Sequence, residues 1–170
     1  MRIFRQSSLF ARHGLAVAIL AWAGLALSSC STGKELPNKL ITFEFQTIDP
    51  QEGKSLTMPM SGLTYRYVEN SGLTEVDLDG VQEVENQNVP CLLFTFSTAG
   101  QRALYRDTAS HEGLMMFTFV NDQPIGACRI TQPIEDGQLV VFVEIPPDQL
   151  TSYVADLQDS IKKIKALRPN

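Results

Sequence analysis

Residues that carry reaction chemistry are scarce in this sequence. Histidine occurs twice, at His13 and His111, tryptophan once and cysteine three times in 170 residues. Outside the N-terminal segment only His111 remains, and one histidine without a cluster supplies neither a zinc site nor a His-based triad. There is no Gly-rich phosphate loop, nucleophile elbow or paired-carboxylate arrangement. Lysine and arginine, 14 together, are outnumbered by 19 acidic residues, so the electrostatic footprint of a nucleic-acid binder is missing. Internal repeats and low-complexity tracts are absent too. The one long apolar run, Gly14 to Leu27, is too short to cross a bilayer comfortably.

That run belongs to a targeting segment. Arg2, Arg5 and Arg12 precede it, and Leu27-Ser28-Ser29-Cys30 follows. The order of a positive start, an apolar core and a small-residue cleavage site marks Met1 to Ser29 as a cleaved signal. The final four residues resemble a bacterial lipobox, which implies a covalent lipid on Cys30 and anchorage of the mature chain to a membrane. Acyl chains on one residue hold a protein stably, at about 0.8 kcal/mol per buried methylene. Ser31 is not the aspartate that retains some lipoproteins at the inner membrane, which favours the outer membrane. Removing the segment takes three arginines and no acid with it, so the formal charge falls from −5 to −8. Membrane contact is therefore expected from the lipid, not from charge. Residues 30–38 read as a polar tether.

Residues 39–170 are long enough for one domain with its own core. Ile41, Phe43 and Phe45 alternate with Thr42, Glu44 and Gln46, the pattern of a half-exposed strand. Leu63 to Val68 is a second strand, with Tyr65 and Tyr67 on one side. Thr74 to Val81 reads as a short helix or a brief strand, and Gln82 to Val89 as a polar connector. Leu92, Phe94 and Phe96 mark a strand, and Ser97 or Thr98 can cap the helix after it, Thr98 with Gln101 at capping-box spacing. Ala99, Ala103 and Leu104 are the residues expected to face the sheet. Leu114 to Val120 has almost no polar break, which predicts a central strand. Asn121-Asp122 is a hairpin turn, and Pro124 predicts an edge or a bulge in the return strand. Asp136-Gly137 is another turn, leading to a strand over Leu139 to Ile145. Leu150, Val154, Leu157, Ile161 and Ile164 then form one apolar helical face.

Strand, helix, three strands and helix make an α+β unit with both helices on one face of an antiparallel-leaning sheet, preceded by further N-terminal strands. This order, with GLTEVDLDGV, PCLLFTFSTAGQRAL, RDT, VNDQPIGACRI and IEDGQLVVFVEI, resembles the first periplasmic domain of SecD, the membrane subunit that assists Sec-dependent protein export. Gly100, Thr108 and Gly137 stand at the expected places, and the resemblance runs from Gly62 to Leu167. It implies a ferredoxin-like head. The family's proton-conducting helices have no counterpart after residue 30. Ala127-Cys128 replaces a stretch that carries proline in many members, and the closing helix ends in SIKKIKALRPN. No functional residue of the family maps onto a defensible position here.

Four side-chain groups invite a sharper reading. Cys91 and Cys128 either form a disulfide, closing a loop of about 38 residues worth roughly 3–4 kcal/mol, or are two buried thiols. The expectation for a bridge is that their strands are neighbours. His111, in Ser110-His111-Glu112-Gly113, reads as a solvated loop histidine in preference to a hydrolase base. Asp77, Asp79, Glu83 and Glu85 read as a polar face, since a calcium-loop ligand pattern is absent. Met58, Met60, Met115 and Met116 read as core filling before a binding surface. The sequence thus points to a non-enzymatic envelope lipoprotein with no catalytic residue, no metal and no cofactor beyond the lipid on Cys30. Its expected partners are the membrane and an unidentified envelope protein, and nucleic acid is not among them. An accessory role in Sec-dependent export, and a small-ligand or enzymatic role, are the alternatives.

Overall fold

The structure, a computed structural model, describes residues 39–49, 51–69 and 72–167. The stretches read above as targeting segment and tether, with Cys30, lie outside the described residues. The elements are β1 (Ile41–Gln46), β2 (Lys54–Thr57), β3 (Thr64–Val68), a 3₁₀ turn (Glu75–Asp77), β4 (Leu78–Asn86), β5 (Val89–Phe96), α1 (Thr98–Ser110), β6 (Met115–Val120), β7 (Gln123–Arg129), β8 (Gln138–Val143) and α2 (Pro147–Leu167). The strands form one 8-stranded sheet in the order β2-β3-β1-β6-β7-β8-β5-β4, and every pairing is antiparallel. The expected ferredoxin-like α+β arrangement is what the chain forms.

Alternation places Phe43, Phe45, Met116, Cys128, Val141, Leu92 and Phe94 on one face. Leu104 from α1 and Leu150, Val154, Leu157 and Ile161 from α2 pack on that same face. Each such side chain contributes about 1.5–3 kcal/mol on burial. Both helices therefore cover one side of the sheet. Pro147 opens α2, where its missing N–H costs nothing. Ser160 ties α2 to the chain entering β1, donating to the Lys39 carbonyl at 2.8 Å and accepting from Lys39 N–H at 3.3 Å.

α1 begins where β5 ends. Ser97 is its cap, accepting from Gly100 N–H at 3.2 Å. The expected Thr98–Gln101 box does not form, because Thr98 is already helical. A capping box does occur at Thr74 and Asp77, opening the 3₁₀ turn. The face of α1 toward the core is Gly100, Leu104 and Thr108, whereas Ala99 is exposed. Gly100 is there because a Cβ would stand 2.4 Å from the Asp77 carbonyl oxygen.

Two strand expectations need correction, and the open reading of Thr74 to Val81 resolves to both its alternatives. Residues 82–89 are not a connector: most of them belong to β4, an edge strand, and Gln87 and Asn88 turn the chain with φ of 52° and 64°. Thr74 to Val81 is both a helical turn and the start of that strand. β1 is not half-exposed, since Glu44 is buried together with its apolar neighbours. The reason is β2–β3, a hairpin that crosses the second face of the sheet. Tyr65 and Tyr67 meet Phe117 and Phe119 there, at ring-centroid distances of 5.2 and 4.9 Å. Leu56 and Met58 complete this smaller core. Asn121 and Asp122 turn the β6–β7 hairpin with φ of 50° and 63°. The register slips after Thr118, so Ile125 is the extra residue of a bulge beside Pro124.

Candidate functional site

The residues singled out from the sequence do not converge. Cys91 and Cys128 are both free and buried. Cys91 stands opposite Phe142, and Phe142 opposite Ala127. A whole strand, β8, therefore separates the two cysteines, and Cys128 points to the other face. Two strand spacings, about 9.6 Å, exceed the reach of a disulfide. The neighbouring-strand premise fails because β8 inserts between β7 and β5. Burial raises the Cys91 thiol pKa and pushes that of Cys128 up to about 12, so neither is a ready nucleophile.

His111 is not a free loop residue but the C-cap of α1. Its N–H donates to Thr108 carbonyl at 3.2 Å, and its ring stacks on Phe45 at 4.1 Å. Its Nδ1 lies 2.7 Å from the Asp107 carbonyl oxygen. The four acids of residues 77–85 also go separate ways. Asp77 caps the 3₁₀ turn, Asp79 pairs with Lys165 at 2.6 Å, and Glu83 accepts from Thr151 at 3.2 Å. Among the described residues no group of three or more His, Cys, Asp or Glu could hold a metal ion. Met58, Met115 and Met116 fill core, whereas Met60 is 60% exposed.

What the fold does assemble is a surface. The β2–β3 hairpin covers the second face over β6 and leaves Phe142 of β8 exposed. Its tip is held at the end of β8 by Glu144, whose Oε2 accepts from Met60 N–H at 2.8 Å and Ser61 N–H at 3.0 Å. Burial alone would raise the Glu144 pKa, but bonds from Ser61 and Met60 outweigh it and hold the carboxyl below its usual value. Beside this tie Phe142 is 46% exposed, with Met60 and Leu63 on the tip also exposed. Val140 and Leu93, on the same face as Phe142, are half-buried.

A cleft of about 640 Å³ lies between β7 and β8, lined from both faces of the sheet: Arg129 and Val140 share the face of Phe142, whereas Cys128 and Leu139 share the face of the helices. The β7–β8 ladder is short, with only Gly126↔Val143 and Ala127↔Phe142 paired. Beyond Ala127 the strands diverge, and Cys128, Ile130, Ile134 and Leu139 line the space between them. The connecting loop is drawn toward α1: Ile134 N–H donates to Thr108 Oγ1 at 3.0 Å, and Gln101 Nε2 donates to the Glu135 carbonyl. Sequence reasoning missed this opening. The signal available was the eight-residue gap between two strands where a tight hairpin would need two to five.

No protein-family model and no curated protein matches the chain. Solved structures do resemble it. One is SecDF, described as a membrane component that enhances protein export, at TM-score 0.56 and 16% identity over 73% of this chain and 62% of that one. SecDF in its super-membrane-facing form matches at the same score and identity, over 73% of this chain and 18% of that one. A third, described as a translocon-associated membrane protein from Thermus thermophilus, matches more loosely at TM-score 0.47. The chain thus spans less than two thirds of these proteins. At such identity the likeness establishes a shared fold.

Proposed function

We propose that this chain is a lipid-anchored protein of the bacterial envelope that binds another protein and catalyses no reaction. The observation that carries the reading is the likeness of 73% of this chain to part of SecDF, itself a membrane component that enhances protein export. Three further features support it. Leu27-Ser28-Ser29-Cys30 offers a lipid site, no helix among the described residues is long and apolar enough to cross a membrane, and Phe142, Met60 and Leu63 leave apolar surface in water. The lipid would supply the membrane attachment, and the uncovered sheet face would supply the contact.

The second reading, an accessory role in Sec-dependent export, draws on the same likeness. In-cell crosslinking of the intact protein, after inner and outer membranes are separated, distinguishes the two. Translocase subunits recovered from the inner membrane would favour export. A single outer-membrane or cell-wall protein would favour a scaffolding role at the outer membrane, the address that the serine after Cys30 favours. If no protein is recovered from either membrane, the binding reading is wrong, and a small-ligand role in the β7–β8 cleft becomes the one to pursue.

A further inference from the structure

The β7–β8 cleft has a feature that shape alone does not convey. In an antiparallel ladder, residues alternate between bonding one neighbour and the other. Ile130 N–H bonds the Leu114 carbonyl at 2.9 Å, and Gly113 N–H bonds the Ile130 carbonyl at 2.7 Å. Arg129, one residue earlier, therefore turns its own N–H and C=O away from β6 and toward β8. Phe96 N–H bonds the Gly137 carbonyl at 2.9 Å, so on β8 the residues bonded to β5 are Leu139 and Val141. Val140 turns its N–H and C=O toward β7. Glu144 N–H bonds the Ile125 carbonyl at 2.8 Å, and the next rung is Ala127 with Phe142. The rung after that would join Arg129 to Val140, and it is missing. Both residues line the cleft.

We infer that the gap between β7 and β8 is a strand-addition site, in which Arg129 and Val140 pair with the backbone of an extended peptide from a partner. This rests on the protein-binding reading above and names where and what the domain binds. Main-chain groups left unpaired inside a sheet recognise main chain, which is how a strand is added to a sheet. The flanking surface sets the side-chain preference. Phe142, Leu93 and Val140 offer apolar contact on the open face. On the loop, Glu135 and Asp136 line the cleft, outnumber its one cation, Arg129, and make no ion pair among the described residues. The fitting occupant is therefore a short extended segment alternating apolar and basic residues. The loop is held toward α1 by Thr108 and Gln101, which leaves the approach from the open face clear.

The test uses the full chain purified from membranes in detergent, with a fluorescent Lys-Val-Lys-Val-Lys peptide as probe. The peptide should bind, N-methylation of its central residue should weaken binding at least tenfold, and an all-glutamate counterpart (Glu-Val-Glu-Val-Glu) should bind at least tenfold more weakly. N-methylation leaves the protein untouched, so its effect does not depend on a variant folding. In parallel, single-amide hydrogen exchange should show Arg129 and Val140 exchanging fast in the free protein and slowing when the peptide is added. Val140→Pro removes one donor to the peptide carbonyls without touching the β5 ladder and should weaken binding of the unmethylated peptide at least tenfold. Slow exchange at both amides in the free protein would overturn the inference, as would equal binding of the methylated peptide. If no peptide binds while an envelope protein is still captured by crosslinking, the strand-addition site is wrong and the protein-binding reading stands.

Discussion

Gly100 lies where α1 closes on the 3₁₀ turn, with the Asp77 carbonyl oxygen 2.4 Å and the Asp77 Cβ 2.8 Å from where a methyl would sit. Neither is the far end of a flexible side chain, so the helix itself has to move. Gly100→Ala should therefore destabilise by about 1–3 kcal/mol, although alanine is the better helix former. Urea unfolding would show it as a lower midpoint at unchanged slope. The cysteines give a second expectation. Mass spectrometry of denatured, unreduced protein should find alkylating reagent on both Cys91 and Cys128, and the folded protein at pH 8 should react slowly at both. A bridged pair would take up none. Glu144 gives a third. Its pKa is held low by the hairpin tip, so its contribution is present above the unfolded carboxylate value and is lost as pH falls through the folded one. Glu144→Gln should cost about 1 kcal/mol at pH 7. Urea unfolding at pH 7 and pH 3 should show that difference shrinking toward zero at the lower pH.

At the scale of elements, the strongly patterned segments were readable. Leu150, Val154, Leu157, Ile161 and Ile164 are all buried on α2, because one apolar stripe has only one way to face a core. The uninterrupted Leu114 to Val120 is central, and Pro124 does sit beside a bulge. What was hidden follows from neighbours that periodicity does not show. β4 carries polar residues at most positions because it is an edge strand, and Gln87-Asn88 lacks the glycine that usually flags a two-residue turn. Glu44 looked like an outward position, yet the β2–β3 hairpin closes over it. The hairpin is held by two paired positions with β1, by the tyrosine–phenylalanine contacts and by Glu144. Phe117→Ala, at the middle of those contacts, should cost about 3–5 kcal/mol. It should also speed hydrogen exchange across β2 and β3 more than across α2. Equal acceleration everywhere would mean that the hairpin is not a separately held layer.

For the whole molecule, the sheet has two unequal sides. The helices pack on one, and the hairpin covers only part of the other. The uncovered part holds Phe142 and borders the opening between β7 and β8. Only the length of the connecting loop hinted at that opening in the sequence: no residue type marks a missing ladder rung, and the loop that causes it is positioned by α1. The functional reading joins this face to an attachment at Cys30. The most direct measurement is in-cell photo-crosslinking of the intact protein, with the photoreactive residue at position 142 and, as the control, at Tyr105, an exposed aromatic on α1. The expected result is one discrete protein adduct from position 142 and none from position 105. Adducts from 105 alone, or from neither position, would contradict the assignment of this sheet face as a protein-binding surface.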